Sequence, residues 1–172
     1  MKSPIVSFAI IVTLALGALN AVYGGSATWS MNPTSHDWNT AANWTPATVP
    51  NGPADVATFA GSSIKSLSFS AAMTEVAEIV FNPGANSFKI IAGSRLAQTW
   101  VTLTISGPGI TNNSGVTQNL VAGPTVISVG GTIEFLNAAT AIKSLRLRLS
   151  WASSLVRCSA RNPAGFTGVV PA

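Results

Sequence analysis

Short stretches that alternate apolar and polar residues follow one another along most of this chain. In Val101–Ser106, for example, Leu103 and Ile105 are two positions apart, with threonine and serine between and after them. A period of two residues is typical of a β-strand that has one buried face. The runs predicted as strands are Asp55–Phe59, Ile64–Phe69, Ala77–Phe81, Ser87–Ile91, Val101–Ser106, Asn119–Val121, Val126–Val129 and Thr132–Leu136.

Clusters of turn-forming residues separate these runs. They are Asn82-Pro83-Gly84, Gly107-Pro108-Gly109, Asn112-Asn113-Ser114-Gly115, Gly123-Pro124 and Gly130-Gly131. Glycine, proline and asparagine punctuate secondary structure in this way, so we predict a turn at each cluster. Helical patterns are weak, and only Ala71–Val76 is compatible with one short helical turn. The pattern therefore predicts an all-β fold.

The scarcity of charge favours a particular all-β architecture. Nine basic and five acidic residues make up only 8% of the chain, whereas a typical soluble domain contains about 25%. Serine, threonine and asparagine occupy most presumed outward positions instead. Successive coils of a parallel β-helix place equivalent residues about 4.8 Å apart, where like charges would repel and hydroxyl or amide groups can stack. We therefore expect a β-solenoid, with a β-sandwich as the alternative.

Three segments resemble a family of large secreted bacterial proteins, those with autotransporter-associated β-strand repeats. Leu103–Val121 (LTISGPGITNNSGVTQNLV) is similar to their repeats, and Asp37–Phe59 (DWNTAANWTPATVPNGPADVATF) is similar to the module that often follows their signal peptides. Thr132–Ala141 (TIEFLNAATA) resembles a further coil. The resemblance implies a right-handed parallel β-helix that lies on, or is shed from, a bacterial surface.

The first 24 residues have the organisation of a secretory signal peptide. Lys2 precedes an apolar run from Ile5 to Leu19, and small residues then provide cleavage sites after Ala21 or Gly24. An uncleaved membrane anchor is the alternative, although the apolar run is shorter than the ~20 residues needed to span a bilayer. We expect export, with no transmembrane segment in the mature chain.

The rest of the chain divides into three parts. Residues 25–60 form a tryptophan-rich opening or capping segment, residues 61–141 supply the solenoid coils, and residues 142–172 form an atypical basic tail. The tail is interpreted either as a capping strand at a sheet edge or as a frame error, which would make the chain a truncated fragment. The net charge of +4 comes from this tail rather than from a patterned face, so we expect no nucleic-acid partner.

Trp29, Trp38 and Trp44 are the candidate ligand-binding residues. Exposed aromatic rings stack on sugars, which would make the segment a carbohydrate-binding module. The structural interpretation is that the rings close the open end of the solenoid, where the first coil lacks a neighbour. The partners expected for an exported solenoid of this kind are extracellular polysaccharides or other surface proteins.

Few residues have the pattern of a catalytic site. The five acids are scattered, and the nearest two, Glu75 and Glu78, are expected on a solvated face. His36 and Asp37 are adjacent, but neighbours in an extended segment point in opposite directions. Cys158 is the one cysteine, so no intramolecular disulfide is expected. We therefore predict a non-enzymatic structural or adhesion protein without cofactor or metal; the alternative is a β-helix enzyme that degrades polysaccharide.

Overall fold

Strands make up nearly all of the regular structure. The computed structural model describes residues 24–93, 100–123, 130–137, 139–141, 145–149 and 155–158. Its strands are β1 (Ala27–Trp29), β2 (Trp44–Thr45), β3 (Gly52–Phe59), β4 (Ser66–Leu67), β5 (Met73–Phe81), β6 (Lys89–Ala92), β7 (Val101–Asn112), β8 (Gln118–Ala122), β9 (Gly131–Phe135), β10 (Thr140–Ala141), β11 (Leu145–Leu149) and β12 (Leu155–Cys158). The described part also contains a 3-10 turn at Ala41–Asn43.

These strands form a parallel β-solenoid of about three turns. The larger sheet has the order β12-β9-β7-β5-β3-β1-β2, with β10 beside β7, and the smaller sheet has the order β11-β8-β6-β4. The central coils, β3 with β4, β5 with β6 and β7 with β8, each contribute one strand to each sheet, and equivalent strands pair in parallel. At the N-terminal edge, β2 is antiparallel to β1. The all-β, parallel β-helix prediction is confirmed, and the sandwich alternative is wrong because the paired strands come from successive coils.

Apolar residues at alternate positions fill the space between the two sheets. Leu67 of β4 pairs with Ile90 of β6, which pairs with Leu120 of β8, and all three side chains are fully buried. Burial of each such side chain stabilises the fold by roughly 1.5–3 kcal/mol. The period-two pattern therefore places one inward side chain at the same position of each coil, next to its equivalents on the neighbouring coils.

The turn predicted at Gly107-Pro108-Gly109 is wrong. These residues lie within β7, which continues to Asn112. Val76 of β5 pairs with Ile105 and Glu78 pairs with Gly109, so three residues of β7 oppose Ala77 alone. Gly107 is required here because a Cβ at this position would lie 2.9 Å from the Cβ of Ala77. The glycine-rich segment therefore forms a bulge that bends the strand without ending it.

Two other local predictions are wrong, and two lie outside the described residues. The helical turn considered at Ala71–Val76 is wrong, because Met73–Val76 begin β5 and pair in parallel with β7. Pairing with neighbouring strands outweighs the weak local helical preference. Gly131, predicted as part of a turn, begins β9. The strand predicted at Val126–Val129 and residues 1–23 of the predicted leader lie outside the described residues.

Two described segments of the basic tail extend the sheets. β11 pairs with β8 and forms an edge of the smaller sheet, while β12 pairs with β9 and forms an edge of the larger one. Arg146 in β11 is exposed.

Candidate functional site

The three candidate tryptophans lie together inside the N-terminal coil. Trp29 is in β1, Trp44 is in β2, and Trp38 lies in the segment between these strands. Their side chains are 1%, 2% and 0% exposed, respectively. The antiparallel pair of β1 and β2 aligns Trp29 with Trp44, which brings the two rings to a centroid distance of 5.1 Å in an edge-to-face arrangement.

Contacts on every side hold these rings in the core. Trp38 stacks on Phe69 at a centroid distance of 5.1 Å and meets the edge of Trp44 at 4.9 Å. The indole N–H groups of Trp29, Trp38 and Trp44 donate to backbone carbonyls at 3.0, 3.0 and 2.6 Å. Stacking on a sugar needs an exposed ring face, and these rings have none. Their position fits the capping interpretation, in which aromatic side chains fill the first coil.

Polar side chains join this first coil to the second. The Asp37 carboxylate accepts hydrogen bonds from the Ser70 backbone N–H and hydroxyl, each at 2.9 Å. The Asn39 side-chain oxygen accepts from the backbone N–H of Ser70 at 3.1 Å and of Ala71 at 3.0 Å. The Nδ1 atom of His36 lies 2.7 Å from the Ser66 carbonyl. The adjacent His36 and Asp37 therefore connect coils and do not converge on one site.

A second cluster lies on the outer face of the larger sheet and includes residues that the sequence analysis did not select. We define the outer-face patch as Met73 and Glu75 of β5, Trp100, Thr102 and Thr104 at the start of β7, and Thr132 and Glu134 of β9. These residues alternate with the buried Leu103 and Ile133 and their equivalents, so they lie on the side of the sheet away from the core. The register places them in rows that run across the strands.

Two rows define the patch. In the first row, Met73 pairs with Thr102, which pairs with Thr132. In the second row, Glu75 pairs with Thr104, which pairs with Glu134. Because neighbouring strands are about 4.8 Å apart, the backbones that carry the two glutamates are separated by roughly 10 Å. Glu75 and Glu134 are 59 positions apart in the chain, and they share a row because two successive coils separate them.

Trp100 is the exposed aromatic residue of this patch. It precedes β7, and its side chain is 40% exposed. The indole Nε1–H donates to the hydroxyl of Thr132 on the neighbouring strand at 2.9 Å. This bond draws the ring across the sheet toward β9 and fixes its orientation. The sequence could have indicated this exposed position, because Trp100 lies two and four residues before Thr102 and Thr104 and so falls on the same face of an extended segment.

The other acids of the described chain take part in local structure. Asp55 accepts from the Asn51 backbone N–H at 3.0 Å, and Glu78 accepts from the Thr111 hydroxyl at 2.6 Å. The part of the chain that the structure describes contains no group of three or more histidine, cysteine, aspartate or glutamate side chains placed to hold a metal ion.

Comparison with family models, curated proteins and solved structures finds no match to this chain. Among the described residues, no helix has the length and apolar character to cross a membrane.

Proposed function

We propose that this protein is exported and acts as a non-enzymatic β-solenoid with a structural or adhesion role outside the cell. The observation that carries the proposal is the outer surface of the larger sheet. Its rows carry threonines and two glutamates over three neighbouring strands, β5, β7 and β9. A flat, weakly charged sheet face of this kind is suited to extended contact with another surface.

The leader supports export. Lys2 and the apolar run from Ile5 to Leu19 have the order of a signal peptide, and Ala21 and Gly24 provide small residues at the end of the run. The resemblance to bacterial secreted proteins with autotransporter-associated β-strand repeats is consistent with this proposal, since those proteins are β-helices at the cell surface.

Fractionation of an expressing bacterium tests the export proposal. We expect the full chain to reach the periplasm, the cell surface or the medium, with an N-terminus after Ala21 or Gly24 by peptide sequencing. Replacing Leu14 and Leu16 with arginine interrupts the apolar run of the leader and leaves the solenoid unchanged, so this variant should remain in the cytoplasm. Equal export of both chains would contradict the proposal.

Adhesion and catalysis are tested with the purified chain. Beads coated with the protein should adhere to bacterial or host-cell surfaces more than beads coated with an unrelated protein of equal charge. A panel of polysaccharides should yield no new reducing ends. The enzyme alternative would use Glu75 and Glu134, the two carboxylates of one row. Turnover that is lost on Glu75→Gln or Glu134→Gln would therefore overturn the non-enzymatic role.

A further inference from the structure

The exposed Trp100 lies in a setting unlike that of the other described tryptophans. We propose that the outer-face patch binds a neutral glycan chain, with the indole of Trp100 as the stacking surface. The inference rests on the proposed contact function and names its partner class. It also moves the sugar-binding role away from Trp29, Trp38 and Trp44, which are buried.

The first argument is the fixed orientation of an exposed ring. Trp100 leaves 40% of its surface open, and its only polar atom is bound to the Thr132 hydroxyl at 2.9 Å. Thr132 is itself 5% exposed and lies in a paired strand. The indole therefore loses little conformational freedom on binding, which favours affinity for a flat apolar partner.

The second argument is the chemistry around the ring. Thr102 and Thr104 follow Trp100 on the outer face of β7, and Glu75 and Glu134 carry carboxylates in the row of Thr104. A sugar ring has an apolar C–H face and a rim of hydroxyls. The face matches the indole, and the rim hydroxyls match carboxylate and hydroxyl acceptors. Hydrogen bonds in which one partner is charged are stronger than those between neutral groups.

The third argument concerns the charge and size of the partner. The carboxylate of Glu75 on the outer face disfavours a polyanion such as a uronic-acid polymer. A neutral polymer carries no charge that this carboxylate would repel. A protein partner is disfavoured because a stable interface needs about 800 Å² on each side, whereas Met73 and Trp100 are the large exposed apolar side chains that the described residues place in this patch.

Affinity electrophoresis of the purified chain tests the inference. Native gels would contain a soluble β-glucan, a soluble α-glucan, a hydroxyethylated chitin or polygalacturonate as the anionic polymer. We expect retardation by at least one neutral polymer and none by polygalacturonate. Trp100→Ala should weaken the retardation by about tenfold or more, as is typical for loss of an aromatic anchor.

Matched variants separate binding from folding. Val116→Ala removes a side chain of similar exposure, 41%, outside the patch, and should bind as the parent does. Thr132→Val keeps the shape of the side chain but removes the acceptor of the indole N–H, and should weaken retardation by about threefold, the value of a hydrogen bond of modest strength. Trp100→Phe should bind between the parent and Trp100→Ala. Circular dichroism of each variant checks the β-signal.

Several outcomes would overturn the inference. These are equal retardation of the parent and of Trp100→Phe and Trp100→Ala, retention by polygalacturonate alone, or no retention by any neutral polymer. The assay uses purified protein and does not depend on export. A chain that binds a neutral glycan but stays in the cytoplasm would thus refute the proposed extracellular role alone. A chain that is exported and adheres without binding any of these polymers would refute the inference alone.

Discussion

Buried amide side chains organise the loops that connect the strands. The side-chain oxygen of Asn43 accepts from the backbone N–H and the hydroxyl of Thr34 at 2.8 and 2.9 Å, and from the Ser35 N–H at 3.0 Å. Its NH₂ group donates to the Ser35 hydroxyl at 2.8 Å and to the Asp37 carbonyl at 2.7 Å. The side chain is fully buried, so a single residue from the core satisfies backbone groups of an irregular, partly exposed segment.

Replacing this amide should destabilise the protein strongly. Asn43→Ala removes five hydrogen bonds that a fully buried amide makes to a partly buried segment, and each polar group left unsatisfied away from water costs about 1–3 kcal/mol. We expect a loss of at least about 3 kcal/mol in the free energy of unfolding, measured by urea denaturation. Asn113→Ala is the matched control, because Asn113 is exposed and should change stability by less than ~0.5 kcal/mol. Similar values for the two variants would contradict the proposed role of Asn43.

Two glycines differ in the space that surrounds them. A Cβ on Gly131 would collide with the Ala92 carbonyl oxygen and lie 2.8 Å from its carbon, whereas a Cβ on Gly61 would meet nothing within 4 Å. Gly131→Ala should therefore destabilise the fold by at least about 2 kcal/mol, because the clash is with backbone. Gly61→Ala should be neutral or stabilise by up to ~1 kcal/mol through the unfolded chain. Thermal denaturation of both variants checks this contrast, and equal melting temperatures would refute the close approach of Gly131 to Ala92.

At the scale of the elements, the alternation of residues predicted more of the fold than the turn signals did. Leu103 and Ile105 are fully buried in β7, as their spacing indicates. The Gly107-Pro108-Gly109 segment predicts a turn but forms a bulge, because both structures use the same residue types. Only the partner strand distinguishes them, since Ala77 on β5 receives the bulge. Such a pairing depends on a neighbouring coil and is not encoded locally.

The outer-face patch was missed for the same physical reason. Glu75 and Glu134 are far apart in the sequence, and their common row depends on the length of two successive coils. Trp100 belongs to no compact motif, because its neighbours on the sheet come from other strands. By contrast, the cluster of Trp29, Trp38 and Trp44 was visible in the sequence as a local concentration of tryptophan. The local concentration of tryptophan thus predicts a buried cluster, whereas the exposed surface depends on strand register.

The tryptophan cluster should contribute to stability as a capping element. Trp38→Ala removes ring contacts with Trp44, Phe59 and Phe69 and the hydrogen bond to the Pro50 carbonyl. We expect a loss of about 3–5 kcal/mol, as for other fully buried aromatic residues. Trp100→Ala removes the same type of side chain from an exposed position and should reduce stability far less. Denaturant unfolding of both variants tests this difference, and a Trp38→Ala protein of unchanged stability would show that the ring is not part of the core.

For the molecule as a whole, stability should be distributed along the solenoid axis. Each strand of the larger sheet pairs only with its neighbours in the order β7-β5-β3-β1, so a coil is stabilised by those directly beside it. In such architectures the total stability is approximately a sum of coil and interface terms. A local change near one end is then expected to open the nearest coils and to leave distant ones closed.

Hydrogen exchange of a mild variant tests this distribution. Trp38→Phe keeps an aromatic ring but removes the indole N–H bond to the Pro50 carbonyl and leaves a small void near Phe69. Faster exchange should appear first in β1 and at the backbone bonds between coils, such as Trp38 N–H to the Ser68 carbonyl at 2.9 Å. The increase should be smaller in β3 and β5 and absent in β7, because each intervening interface must open before the next. Mass spectrometry of peptides from each strand measures the gradient, with Val116→Ala as the control for a substitution away from the cap. A uniform increase from β1 to β7 would mean that the described solenoid opens as one cooperative unit, and the nearest-neighbour account would then fail.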